Sequence, residues 1–486
     1  MNATSRGPGA VLTEVIVYAL GGAAQRAALL ALVPILGHIL DADDYGRWTI
    51  FLALLPMLSS IIDFGFSKAI GRFYFDFDDS PAQLAAFLKR MIWLRILGFV
   101  ALTLPILCAL NFAWPILTGG ELAPGMFIVP LLIACASESI LLAITAFSRA
   151  RHLSSVFGIL RLGQGLLTVA LPFAFAREGG LQGAVIGLAA ANIIIATGGL
   201  AWIFFWIARQ PTLDVEPSRY SGAGSIIRYS APVVVHDLSW WIRNSSTLIV
   251  LSHFVVASLV GAYSIGFAAL SLVAMLCWSL DFATAPYYYR WRKQDKDWRE
   301  NSRDILLLMN GLVFVVCAIG ILLFADARSF VFGTKFVEAD TVGPLLLVAG
   351  MFQPLYFMTV KPYFYLKRTA LLSRITFTTS AVLVVGSIAT IWHYGYVAAA
   401  AMTILSYASV AAVGYWLSLR IEPAPFDFAE ALIPSLACAT MAALVLLFDL
   451  SLGPKLCLCL LVVVGAARFA ILRPLKTLQR RNAFRI

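Results

Sequence analysis

The chain has 486 residues, of which 60% are hydrophobic and only 13% charged. Soluble domains carry about a quarter charged residues, so a soluble globular protein is excluded and a polytopic integral membrane protein is expected. The net charge of +10 does not point to nucleic acid, because the basic residues gather in alternate short loops, as membrane topology requires. The seven cysteines, Cys108, Cys135, Cys277, Cys317, Cys438, Cys457 and Cys459, all fall in apolar stretches and read as small buried hydrophobes. No metal set and no cofactor motif accompanies them.

A helix needs about 20 apolar residues to cross the hydrocarbon core. Candidate spans run over 14–38, 47–70, 91–111, 125–148, 155–176, 181–208, 229–253, 260–285, 305–325, 341–361, 372–393, 396–419, 430–449 and 455–472. The fold class is therefore all-α, with about fourteen transmembrane helices, or twelve if one pair lies shallow. No cleavable signal precedes the first span, which is expected to act as its own insertion signal.

The first span carries Gln25 and Arg26 near its midpoint. A guanidinium facing lipid at that depth costs at least ~2.5 kcal/mol, so it should line protein or water. Next, 71–90 is charged and aromatic, and Arg161 joins Ser154, Gly158, Gly165 and Thr168 in a polar stripe on the fifth span. Arg161 sits near the cytoplasmic end, where snorkelling and cavity lining are both open. Residues 210–226 form the sizeable Pro- and Gly-containing polar stretch expected between two lobes. The seventh span repeats the first: His236, Trp240, Arg243, Asn244 and Thr247 share one helical face around a mid-span arginine. Residues 287–303 alternate aromatic and basic groups, which suits an amphipathic helix on the headgroups or a solvated loop. After Glu422-Pro423 come two spans without a repeat partner, then a basic tail from 473 to 486.

Loop charges set the orientation. One side receives Arg72, Lys89, Arg90, Arg149, Arg151, Arg209, Arg219 and Arg228, the run from Arg290 to Arg303, the group Lys361, Lys367, Arg368 and Arg374, and the tail. The other receives Arg47, Arg177, Arg328, Lys335 and Lys455, a bias of about five to one that places both termini in the cytoplasm. Matched residues at an offset of about 215 define a parallel internal repeat: Arg26 with Arg243, Gly46 with Gly261, Asp63-Phe64 with Asp281-Phe282, and Phe73-Tyr74 with Tyr287-Tyr288. The domain plan is a six-helix lobe over 1–209, a linker over 210–226, a second six-helix lobe over 227–420, and two further helices over 421–472.

Enzyme signatures are absent: there is no phosphate loop, no His-Glu-x-x-His helix and no nucleophile elbow. What remains is transport through a cationic interior. Guanidinium groups bind phosphate bidentately and never lose charge, so Arg26, Arg243 and Arg161 fit a pyrophosphate, with Gln25, Trp240 and Asn244 beside them. Each arginine could instead clamp helices through Asp63, Asp237 or Asp281. Trp240 and Trp241 could stack on sugars or be ordinary buried aromatics. Asp63, Asp237, Asp281, Glu138 and His236 are candidates for a coupling proton or cation, or for partners of the arginines.

The stretch LDADDYGRWTIFLALLPMLSSIIDFGFSKAIGR, from Leu40 to Arg72, resembles polysaccharide-transporter proteins of the multidrug/oligosaccharidyl-lipid/polysaccharide (MOP) exporter superfamily. The phrase VVASLVGAYSIGFAALSLVAML looks like that family's second repeat. The resemblance implies two six-helix lobes in a V around a central cationic cavity, alternating access, and a Wzx-type flippase. Its substrate would be an undecaprenyl-pyrophosphate-linked oligosaccharide for O-antigen (lipopolysaccharide), capsule or exopolysaccharide, moved across the bacterial inner membrane. Arg26 and Arg243 fall where such flippases carry arginines. Implied partners are that lipid-linked oligosaccharide, membrane lipids, and the polysaccharide polymerase and chain-length machinery. A drug/cation antiporter of the same fold, a lipid II flippase and a non-transporting scaffold are the rival expectations.

Overall fold

A computed structural model describes residues 8–74, 81–210, 223–294, 297–366, 368–422, 425–448 and 450–480, side chains excepted at positions that include Gln25, Arg26, His236, Trp240, Arg243 and Asn244. These residues contain helices and no strand. The chain divides into two compact units, Met1–Trp241 and Ile242–Ile486.

Unit 1 holds α1 (Pro8–Ile39), α2 (Ala42–Asp63), α3 (Phe66–Phe73), α4 (Pro81–Thr118), α5 (Pro124–Ala150), α6 (Ser154–Ala208) and the first part of α7 (Ala223–Leu251). The acidic turn before α2 is a helix start. Asp41 accepts from the Asp44 amide at 2.7 Å, and Asp43 and Asp44 fill the first turn, where negative charge meets the positive end of the helix dipole. Arg47 then pairs with Asp44 at 3.0 Å and Glu121 at 3.4 Å. The Asp-Phe-Gly phrase is a helix stop: Phe64 (φ 48°) and Gly65 (φ 71°) are both left-handed and break α2 from α3. The core packs Phe66, Leu84, Leu88, Met91, Phe147 and Ile203 together, with Ile226 of α7 buried among them.

Unit 2 continues α7 and adds α8 (Ala257–Gln294), α9 (Trp298–Phe332), α10 (Ala339–Gly350), α11 (Gln353–Tyr365), α12 (Thr369–Leu419), α13 (Phe428–Leu447), α14 (Leu452–Ala466), a π-helical turn (Ala467–Leu472) and α15 (Arg473–Arg480). Among the described residues eight helices are long and apolar enough to cross a membrane. Two of these, α6 at 55 residues and α12 at 51, are more than twice the ~20 residues one pass needs. Each turns at a glycine, Gly180 (φ 55°, ψ −137°) in α6 and Gly395 (φ 61°, ψ −149°) in α12.

Those two turns lie about 215 residues apart, the offset of the sequence repeat. Side-chain hydrogen bonds follow the same offset. Nδ1 of His38 meets the Pro34 carbonyl and Nδ1 of His253 the Ile249 carbonyl, both at 2.8 Å. Thr49 donates to the Gly46 carbonyl at 2.8 Å and Ser264 to the Gly261 carbonyl at 2.7 Å. The repeat is thus a repeat of local geometry, although α8 runs unbroken where α2 and α3 are split.

No side chain at Gly180 or Gly395 would meet another atom within 4 Å, so substitution there tests backbone strain alone. Gly180→Ala and Gly395→Ala are each expected to destabilise by about 1–3 kcal/mol, read as a lower thermal midpoint of detergent-purified protein. Gly183 is tighter still: a Cβ there would fall 2.0 Å from the Phe175 carbonyl oxygen, across the turn of α6.

The 287–303 stretch is neither a separate surface helix nor a loop. Residues up to Gln294 extend α8 and those from Trp298 open α9, with 295–296 outside the described residues. Packing decides this, because Tyr288, Trp291 and Trp298 are buried and Arg292 pairs with Glu422 while lying 4.3 Å from the Trp298 ring centroid. The expected linker, 210–226, lies outside the described residues from 211 to 222.

The two added helices dock along α9. Arg303 meets Glu430 of α13 at 2.8 Å, Asn310 donates to the Ala431 carbonyl at 3.3 Å, and Lys455 of α14 meets Asp326 at 2.7 Å. Both members of the Arg303–Glu430 pair are more than half exposed, while Lys455 is 10% exposed. Arg303→Ala should therefore shift stability by no more than about 0.5 kcal/mol. Lys455→Ala should cost more, and the two thermal midpoints measured side by side check the order.

Candidate functional site

Charged groups inside apolar helices must find partners within the protein. In unit 1 they do so through two networks meeting at α5. Glu138 of α5 and Arg161 of α6 form a buried ion pair at 3.2 Å. Arg161 and Gln164 stand one turn apart on α6, so both reach the same carboxylate. Arg161 Nη1 also donates to Gln164 Oε1 at 2.8 Å and Nη2 to Thr145 Oγ1 at 3.3 Å. Gln164 Nε2 donates to Glu138 Oε2 at 2.5 Å and to Asn192 Oδ1 at 2.9 Å, tying the two halves of α6 together. Asn192 completes the chain by donating to the Leu188 carbonyl at 3.1 Å.

Glu138 and Asn192 of this network line a cavity of about 280 Å³ between α1, α2, α5 and α6. Its apolar lining is five leucines and Pro56, and its polar groups are Ser59, Ser60, Glu138, Thr168 and Asn192.

The second network starts one residue further on. Ser139 Oγ accepts from Arg95 Nη2 at 2.9 Å and lies 3.5 Å from Asp63 Oδ1. Arg95 of α4 pairs directly with Asp63, whose Oδ2 also accepts from the Ser67 amide at 3.3 Å and hydroxyl at 2.7 Å. Asp63 thus caps α3 while neutralising Arg95. Lys68 of α3 pairs with Asp237 of α7, and Trp241 donates its indole N–H to the Ala53 carbonyl at 2.7 Å.

In unit 2 the repeat mate of Asp63 is Asp281 on α8, 3.2 Å from Lys361 of α11. Lys361 is 2% exposed and donates to Thr284 Oγ1 at 3.2 Å. At the other end of the unit Arg328 holds Asp340 at 2.5 Å.

Several expectations change. Arg161 does not snorkel to a headgroup layer, because Glu138, Gln164 and Thr145 enclose it. Asp281 does not serve an arginine, and Lys361 is a buried intrahelical amine rather than a loop cation. Asp63 serves Arg95 and Asp237 serves Lys68, neither of which was a candidate. Gln164, Asn192, Arg95, Lys68 and Lys361 are the site residues that sequence reasoning passed over. The available signal was a polar or basic residue inside an apolar run, and Arg95 and Gln164 both carried it. Gln25 and Arg26 lie on α1, and His236, Trp240, Arg243 and Asn244 on α7, with side chains outside the described residues.

Three comparisons place this architecture. The structure resembles "Lipid II flippase MurJ, inward closed conformation" with a TM-score of 0.67 and 14% identity, over 92% of this chain and 98% of that one. It also resembles an outward-facing "multidrug resistance MATE family transporter of the MOP superfamily", TM-score 0.55 and 17% identity, over 85% and 95% of the two chains. Among curated proteins, the "Probable low-salt glycan biosynthesis flippase Agl15" of Haloferax volcanii is 23% identical over 377 residues, 76% of this chain and 75% of its own length. The fold is the all-α, multi-pass membrane fold of these solved structures. The family described as "Polysaccharide biosynthesis protein" matches residues 11–290, more than half of the chain, and the chain belongs to it.

Proposed function

We propose that this protein is a flippase for a lipid-linked glycan, working by alternating access. The observation that carries the reading is the agreement of two independent likenesses: the family of residues 11–290 and the MurJ-like fold over nearly the whole chain. The substrate is an undecaprenyl-pyrophosphate-linked oligosaccharide destined for O-antigen, capsule or exopolysaccharide, and the membrane is the bacterial inner membrane with both termini cytoplasmic. The loop-charge bias supports that orientation.

Arg26 and Arg243 bind the pyrophosphate as charge-assisted, bidentate donors, with Gln25, Trp240 and Asn244 around them. Arg161 is committed to Glu138, which lines the unit 1 cavity. A drug/cation antiporter would need acids free to meet a cation, and Asp63, Glu138, Asp237 and Asp281 each face a base instead.

The test is direct. Purified full-length protein in liposomes should move a fluorescent undecaprenyl-pyrophosphate trisaccharide between leaflets, while protein-free liposomes do not. Export of an organic cation such as ethidium, with no movement of the lipid probe, would replace this reading by the antiporter. Movement of neither would leave the scaffold reading in its place.

A further inference from the structure

Unit 1 holds a second pocket, of about 100 Å³, which shares no lining residue with the cavity described above. It is lined by Ile92 and Ile96 of α4, Ala143 and Ile144 of α5, and Ile203 and Phe204 of α6, among others. The α5 residues are buried, whereas Ile96 is 45% and Phe204 48% exposed. The pocket is therefore deepest at α5 and opens between α4 and α6.

Every lining residue but Arg95 is apolar. Arg95 contributes its carbon stem, because its guanidinium is held by Asp63 and, at 2.9 Å, by Ser139 Oγ. A buried water needs about 2–4 polar partners, and this wall is almost wholly apolar. An empty apolar void forfeits its dispersion contacts. A hydrocarbon chain suits both wall and volume: an apolar cavity of about 150 Å³ takes benzene, so this one takes a few methylene groups.

The mouth has a charged border on one side. Lys89 is exposed and stands on the same stripe of α4 as Ile92 and Ile96. Arg209, also exposed, follows the end of α6 and lies 3.9 Å from the ring centroid of Phe205, the neighbour of Phe204. At about 1.5 Å per residue, Lys89 and Arg209 lie roughly 5–8 Å beyond Ile92 and Phe204. That is about the thickness of one headgroup layer outside the hydrocarbon core. No acid opposes these cations along the two helices: α4 has none, and the acid of α6 is Glu178, beside the turn at Gly180.

We propose that this pocket is a binding site for an anionic phospholipid. One acyl chain enters between α4 and α6 while the phosphate meets Lys89 and Arg209. The site lies apart from any transported substrate and rests on no reading of it. The bound chain packs on the Arg95 stem, and so holds the guanidinium against Asp63 and Ser139.

Native mass spectra of the full-length protein, released from bilayers of equal parts phosphatidylglycerol and phosphatidylcholine, read the occupancy. Wild type should retain phosphatidylglycerol over phosphatidylcholine by about tenfold, since each cation near the surface favours an anionic headgroup. Ala143→Leu fills the pocket with an isobutyl group and should lower that retention by about tenfold or more. Lys89→Gln/Arg209→Gln alters exposed side chains alone and should leave the two lipids equally retained. In detergent, added phosphatidylglycerol should raise the thermal midpoint of wild type by several degrees and that of Ala143→Leu hardly at all. Should Ala143→Leu fail to fold, the double variant decides by itself. The proposal is overturned if wild type retains neither lipid or both equally. It is overturned as well if Ala143→Leu retains phosphatidylglycerol like wild type, or if the preference survives the loss of both cations.

Discussion

Glu138→Ala is expected to cost ~3–5 kcal/mol, because it leaves the Arg161 guanidinium buried without its counter-charge. The loss spreads beyond one pair: Gln164 loses the acceptor of its 2.5 Å hydrogen bond, and Arg161 is only 7% exposed. Detergent-purified variant should unfold at a clearly lower temperature and elute as a smaller monodisperse peak in size-exclusion chromatography. The double variant Glu138→Gln/Arg161→Gln removes both charges and should recover most of the loss, since replacing both partners of a buried pair is often near neutral. A single variant as stable as wild type would mean that the pair is not desolvated.

Arg26→Ala combined with Arg243→Ala should abolish transport without unfolding the protein. A hydrogen bond to a charged group contributes about 1.5–3 kcal/mol, so each substitution should slow lipid movement about ten- to hundredfold, and the pair more. Rates measured in liposomes carrying equal amounts of reconstituted protein check this. Lysine at either position should restore part of the rate, because it returns the charge without the bidentate fork. Undiminished movement by the double variant would take the pyrophosphate away from this pair of residues.

Composition and period were enough to establish the class of this protein. A 60% hydrophobic chain with repeated runs of about 20 apolar residues must be helical in a membrane, where each backbone group has to be satisfied within its own segment. The repeat was legible for a similar reason: matched spacing from Arg26 to Arg243 and from Gly46 to Gly261 needs only a local geometry used twice, and the structure adds the turns at Gly180 and Gly395. The acidic turn at Asp41 and the stop at Phe64-Gly65 are likewise local, being a cap and a left-handed break.

The partners of the buried charges were not legible, because they come from helices far apart in sequence. Asp63 finds Arg95 and Ser139 only when α2, α4 and α5 pack together, and nothing in the spacing of these residues distinguishes that outcome from a pairing with Arg26. Lys361 reads as one more cation near a helix end until α8 lies against α11. The extent of α8 was decided the same way, since burial of Tyr288 and Trp291 carries the helix through a run whose charge alone suggests a surface. The sequence by itself determined that cations and acids lie at membrane depth; the tertiary structure decided which carboxylate each base neutralises, because desolvation makes an ion pair obligatory but only packing supplies its partner.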